Sequence, residues 1–463
     1  MNIFIPLALL LALSFPVAAK NLYVDASSGD DSVTYAANSS SNPWRSIGRA
    51  AWGSTSRSAV NASQAAQAGD TVIVNAGVYT TSQMSGERYI PAYNPANSGN
   101  SANPIIFRAD GLVTLRSNSS SGGGPIIGTQ GRSHIMWDGF FIDEPNLQTV
   151  SDTAPVVIWD SNNITIQNLT INGVNSGWND NHNGIRVENS SDSLVTNNRI
   201  YGIRNSGMNA NGAAVMVYGS SNITFEHNDV SDSGSGIFIK GRNPGPFIVR
   251  YNNIYDIDSG AVVIGQVGTS QAQNGAQIYQ NVLRDSAEGV TLVGYDSSSP
   301  ANIYIVNNTI DNCSTGGLML KPSTTGYLNI VIKNNIVTNS SVGIQAEDIS
   351  DLSQVTFSHN LYSGNSVLAR RQYTNYSFSS WLSNMNKDTE GSMEINPQYV
   401  NLTSNDFRLS ASSPAIDGGV DILNLRSADA SASINMGAYL TGSEVIGITG
   451  NLATVPQAPL MFP

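Results

Sequence analysis

The chain has 463 residues and carries 34 Asp+Glu against 22 Lys+Arg, a formal net charge of −12, with charged residues at only 12%. Apolar residues make up 40%, enough for a sizeable core, which excludes wholesale disorder. The lack of long runs of good helix formers excludes a helical bundle or coiled coil. The acidic balance, without Lys/Arg-rich runs, excludes nucleic acid and anionic membrane surfaces as main partners.

Taken in chain order, residues 1–19 form an apolar run too short for a confident membrane span. The run ends on Val17-Ala18-Ala19, with small residues at the −3 and −1 positions of a signal peptidase site. A signal peptide over 1–19 is predicted, with a mature chain starting near Lys20 and secretion to an extracellular or periplasmic space. No later stretch is apolar and long enough to span a bilayer. Residues 20–70 are predicted to hold an N-terminal strand and a helical cap, the cap read from WRSIGRAAW and SAVNASQAAQ within 43–67. Asp30-Asp31 lies in the turn before it and is read as structural.

Residues 71–365 are predicted to be an all-β, right-handed parallel β-helix, a β-solenoid. From about Pro155 to Tyr362 short β-branched runs alternate with Asn/Ser/Gly turns, and Val156–Ile164 aligns without a gap on Val215–Ile223. An Asn closes the second run at Asn198, Asn228, Asn252, Asn281, Asn308, Asn334 and Asn360, at spacings of 30, 24, 29, 27, 26 and 26. A period of this size with short strands means stacked β-coils, none of which could bury a core alone. The Asn column is read as structural, each amide bonding along the axis to the next. Strand alternation points Ile185/Val187, Val215/Val217, Ile237/Ile239, Val262/Ile264 and Leu318/Leu320 inward.

After Tyr362 the repeat fades. Phe378 to Asn386 reads as a short helix, 366–440 as a C-terminal cap and 441–463 as a loose tail. Cys313 is the only cysteine, so no intramolecular disulfide can form. It is read as a small packed side chain, and a monomer is expected.

Aligning the first strand of each coil gives an outward column of Trp159, Glu188, Tyr218 and Lys240 on successive rungs, continuing through Gly265, Val293, Lys321 and Glu347. Arg186 stands beside Glu188 in the neighbouring outward column, Arg242 follows Lys240 into the turn, and a loop carrying Trp178, Asp180 and His182 leads into the Arg186 strand. Lys321 and Glu347 are read as an ordinary stabilising pair. Exposed aromatics on such a face suit sugar stacking. Removing the proton beside a uronate carboxylate requires a base, an acid for the leaving oxygen, and donors for the carboxylate. Lys240, Arg186, Tyr218 and His182 are the candidate catalytic groups, with Trp159, Trp178, Glu188 and Arg242 as substrate-binding residues. A glycoside hydrolase needs two carboxyl groups about 5–9 Å apart; only Glu188 is central, with Asp180 or Asp160 as seconds. Calcium is a candidate cofactor, with Asp180, Glu188 and Asn209 as its ligands.

The opening NLYVDASSGDDS, the segments NPWRSIGRA and AGDTVIVNAGVYT, the Asn-rich coils and the ending DFRLSASSPAIDGG resemble secreted pectate-lyase-like right-handed β-helix proteins. That resemblance implies polysaccharide processing. In alginate- and chondroitin-cleaving proteins of this fold a Lys on the long strand is the base, an Arg lies close by, and calcium balances the substrate carboxylate. Lys240 is the position that looks most like that Lys, while Arg186 departs from the strict placement of the Arg. The expectation is a secreted lyase acting by β-elimination on a uronic-acid-containing polysaccharide, alginate, pectate or similar. A hydrolase or epimerase on the same scaffold, and a non-catalytic glycan-binding or surface protein, are the alternatives.

Overall fold

The computed structural model describes residues 19–450 and 452, apart from 82–86, 118–123, 144–151, 174–180, 205–210, 242, 266–274, 295–299, 322–325, 348–350 and 427–431. The predicted signal peptide, except Ala19, and the tail beyond 452 lie outside the described residues.

Three parallel sheets wrap a single apolar column. The first contains Val156–Trp159, Ile185–Glu188, Ala213–Tyr218 and Ser235–Ile239, continuing to Val342–Ala346 and Val367–Arg371. The second contains Asn162–Gln167, Ser191–Thr196, Ser221–Glu226 and Phe247–Arg250, and the third Thr170–Asn172, Arg199–Tyr201 and Asp229–Ser233. The long strands Asn253–Ile264 and Val282–Leu292 run through the corner from the third sheet into the first. Inward residues of successive rungs stack on their own kind. Ile185, Val187, Val215, Val217, Ile237 and Ile239 are all at most 1% exposed. Among the described residues no helix is long and apolar enough to cross a membrane.

The abundance of Asn and Asp has a backbone cause. Each coil turns sharply at single left-handed residues, as at Asp160, Asn189, Asn168, Asn197 and Asn307, with φ between 45° and 59°. Asn and Asp tolerate this region better than other residues with a Cβ. Beside those corners a buried amide ladder runs along the axis. Nδ2 of Asn198 donates to Oδ1 of Asn228, Asn228 to Asn252, Asn252 to Asn281, Asn281 to Asn308, Asn308 to Asn335 and Asn335 to Asn360, all at 2.9–3.1 Å. The rung assigned from sequence to Asn334 is therefore occupied by Asn335. Asn334 takes the left-handed corner, φ 59°, where its side chain bonds Val420 and Asn307 instead. Cys313 is buried in a parallel column, its N–H donating to Ser340 Oγ, and burial pushes its thiol up to about 12.

Both ends of the stack are closed. At the N-terminal end Ile47–Trp52 is a short helix, its N–H of Arg49 capped by the Ser46 hydroxyl and its exit made by Gly53 at φ 70°. Asp31 accepts from the backbone of Arg45 and Ser46, the structural role expected of it. At the other end the helix Phe378–Met385 buries Trp381 completely against Phe357. The buried carboxylate of Asp388 receives Trp381 Nε1, Tyr362 Oη, Ser392 Oγ and, closing the amide ladder, Asn360 Nδ2. The chain then runs back along the solenoid. Gly437 N–H donates to Asn334 O, Ala438 N–H to Thr309 Oγ1, Gly447 N–H to Tyr251 O and Thr449 N–H to Asn197 Oδ1. Where a loose tail is expected from 441, residues 447 and 449 are thus tied to the coils, because the left-handed corners leave carbonyls and amides for the returning strand to meet.

Candidate active site

Register fixes the site. Trp159, Glu188 and Tyr218 are paired neighbours on successive strands, and Lys240 N–H donates to Val217 O at 2.9 Å, which puts Lys240 on the rung after Tyr218. Arg186 pairs with Val157 and Met216 in the adjacent column. Period-2 alternation sends all of these away from the core, and parallel pairing spaces them about 4.8 Å apart.

The two columns differ in depth. The one through Val157, Arg186, Met216, Phe238 and Val263 is buried although it faces outward, and Ala213, Met216, Phe238 and Val263 form a second apolar cluster outside the sheet. Arg186 is 4% exposed. Its Nε donates to Glu188 Oε1 at 2.5 Å, its Nη2 also pairs with Glu188, its Nη1 donates to Asn183 Oδ1 at 2.9 Å, and Asp152 lies 3.9 Å away. A guanidinium so enclosed lies beneath the surface and, as placed, does not meet a substrate carboxylate directly, where a direct contact is expected of it. Burial pushes the Glu188 carboxyl above its usual range, opposed by the adjacent Arg186 charge.

Tyr218 and Lys240 reach the surface, half-buried. The Tyr218 ring lies between two cations, Arg186 at 5.0 Å and Lys240 at 5.8 Å from its centroid. Lys240 Nζ donates to Asn211 Oδ1 at 2.6 Å and also stands 5.5 Å from the Phe238 ring. Trp159 is half-buried on the rung before Glu188, with one ring face covered by Tyr89, stacked at 3.8 Å and 22°. Only its remaining surface can meet a sugar.

His182 is brought to the same region, bridged to Thr153, but it is 3% exposed. Burial, helped by the Arg186 charge, lowers its pKa to about 3, which favours the neutral imidazole. Trp178, Asp180, Asn209 and Arg242 lie outside the described residues. Of the expected calcium ligands only Glu188 is described. Its carboxylate is already neutralised by Arg186, so it does not fit a cation as placed, and among the described residues no group of three acidic, His or Cys side chains could hold a metal. Lys321 pairs with Glu288 at 2.7 Å rather than with Glu347, which accepts from Gln345 instead. The Glu288 side chain is 9% exposed, and a buried carboxylate gains more from a cation than an exposed one.

Sequence reasoning missed Asp152, Asn211 and Asn181. By strand register they form one polar column ahead of the first-sheet strands, a pattern visible only once the coils are aligned through their loops. Asn181 carries a buried Oδ1 with no hydrogen-bond partner among the described residues.

Residues 149–326 match the family model of the right handed beta helix region. No curated protein sequence matches the chain significantly. Among solved structures, that of pectate lyase Pel9A is similar over 92% of this chain and 97% of that one, at 16% identity and a TM-score of 0.57. The A-module of the mannuronan C-5 epimerase AlgE6 of Azotobacter vinelandii is similar over 71% and 92%, at 13% identity and TM-score 0.44. PfbA, a surface adhesin of Streptococcus pneumoniae, is similar over 65% and 79%, at 15% identity and TM-score 0.49. A shared fold does not fix an activity. What the register, the family match and the pectate lyase likeness establish together is that this chain is a right-handed parallel β-helix with the pectate-lyase-like fold.

Proposed function

We propose that the chain is a secreted, monomeric polysaccharide lyase that cleaves a uronic-acid-containing polymer, alginate, pectate or similar, by β-elimination. The observation that carries this is the pair Tyr218 and Lys240, on successive rungs at the surface and anchored from beneath by Asn211 and the Arg186–Glu188 ion pair. Lys240, in its neutral form, takes the proton from the carbon next to the carboxylate. That electron pair becomes the new C=C bond, the bond to the glycosidic oxygen breaks, and the Tyr218 hydroxyl protonates the leaving oxygen. The uronate needs a cation beside it. Arg186 is committed to Glu188, so Arg242, two residues after Lys240 in sequence, is the candidate. The fold likeness to a pectate lyase supports the reading by analogy only.

A hydrolase reading rests on Glu188, whose raised carboxyl suits a general acid, with Asp152, which approaches the same Arg186 Nη2 at 3.9 Å, as a second carboxylate. Incubation with alginate, pectate and glycosaminoglycans separates the two. Ultraviolet absorbance of an unsaturated product is expected. New reducing ends without that absorbance would replace the lyase with a hydrolase, and binding with neither would leave a glycan-binding protein.

A further inference from the structure

The first sheet ends in a hairpin. Val367–Arg371 pairs antiparallel with Thr374–Tyr376, Arg371 opposite Thr374 and Arg370 opposite Asn375. Its two-residue turn is Gln372-Tyr373, with φ 45° and 67°. Turns of this kind use Asn-Gly, because both positions are left-handed. A tyrosine there is conformationally costly. It is also 86% exposed, while no other exposed large hydrophobic side chain described exceeds 54%. Strain retained at a residue the core does not use is a mark of ligand-holding positions.

The place of this turn matters. Gln372 N–H donates to Ala346 O, so the turn occupies the rung after Glu347 on the Lys240 column. Five rungs at about 4.8 Å each separate the two, roughly 24 Å along one face. Arg370, on the strand leading into the turn, is half-buried, its Nε donating to Asn375 Oδ1 at 2.9 Å. Arg371 stands on the same strand. Among the described residues the carboxylates in this region are Glu347, which accepts from Gln345, and Asp351, within electrostatic range of Arg371.

We propose that this hairpin is a distal subsite for an anionic glycan, with Tyr373 stacking on a sugar ring and Arg370 meeting its carboxylate. The substrate class rests on the polyuronate reading above. The chain would lie along the solenoid axis from Lys240 to the last coil. The net charge of −12 repels a polyanion at long range, so preference for an anionic over a neutral polymer rests on the local arginines Arg370 and Arg371 of the hairpin, within a screening length of the bound sugar.

The test is affinity electrophoresis in gels containing polygalacturonate, alginate or neutral dextran, using the full chain. Tyr373→Gly relieves the left-handed strain, so its melting temperature should equal or exceed that of the native chain. Its polyuronate affinity should nevertheless fall about five- to tenfold. Tyr373→Phe should bind as the native chain does, and Arg370→Ala should bind more weakly. Undiminished polyuronate binding by Tyr373→Gly overturns the subsite, as does equal retardation by dextran, no retardation of the native chain, or self-association that Tyr373→Gly abolishes. Binding lost in Tyr373→Gly while the native chain cleaves no polyuronate supports the subsite and overturns the β-elimination. Cleavage without any effect of Tyr373→Gly on binding does the reverse.

Discussion

Replacing Lys240 with alanine separates catalysis from stability most cleanly. The side chain is half-buried, and its Nζ donates to Oδ1 of Asn211, a residue that is itself half-buried. Ile237 and Ile239, both fully buried, carry the packing of that strand and are untouched. Losing that bond near solvent costs about 1 kcal/mol of folding free energy. Losing a positioned base costs about 10²–10⁴ in rate, or about 2.7–5.4 kcal/mol of barrier. The signature is therefore a rate loss several kcal/mol larger than the stability loss. Lys321 is unsuited as a control because it neutralises the buried Glu288. Lys333, outward on the second sheet, is the better match. Initial rates of unsaturated-product formation, with thermal melting in parallel, give both quantities. A rate loss under about threefold in Lys240→Ala, or an equal loss in Lys333→Ala, refutes the assignment of Lys240 as the base.

Other consequences can be measured directly. Lys321→Ala should lower stability by about 1–3 kcal/mol, because Glu288 is left buried without its cation; equilibrium denaturation reads it, and activity per folded molecule should be unchanged. Asn308→Leu interrupts the amide ladder and leaves the Asn281 backbone N–H without its acceptor and the Ile278 carbonyl without the donor Asn308 Nδ2, for a similar cost of about 1–3 kcal/mol; loss of activity at full stability would show that the column is more than structural. The folded-state pKa of His182 is depressed from 6.5 to about 3, so its contribution is complete above 6.5 and is lost as pH falls toward 3, where only the unfolded chain takes up the proton. His182→Gln should flatten stability against pH across that window; an unchanged acid limb would mean that His182 is not the group responsible.

The fold was legible because its signals repeat. A missed assignment in one coil is corrected by its neighbours, and the inward pairs from Ile185 to Leu320 all fall inside. The same redundancy placed Glu188, Tyr218 and Lys240 on successive rungs. What it could not supply was depth. Period-2 alternation says that Arg186, Met216 and Phe238 face away from the core, but not that they are buried by a second layer. Partner choice was equally hidden. Asn334 and Asn335 are chemically identical, and only the left-handed φ of the first decides which enters the ladder. Lys321 had two carboxylates to choose between, and burial of Glu288 decided the outcome.

The returning C-terminal strand alters how this molecule can come apart. A stack whose coils touch only their neighbours behaves as a one-dimensional array and can fray from either end. Here one returning segment bonds the coils of Asn334, Tyr251 and Asn197 in turn, the last contact joining residues 252 apart in sequence. The final coil cannot loosen without pulling on backbone that is also fastened near the middle of the solenoid. Fraying is thereby made cooperative, and the stack is protected from the end at which a solenoid would otherwise begin to unzip.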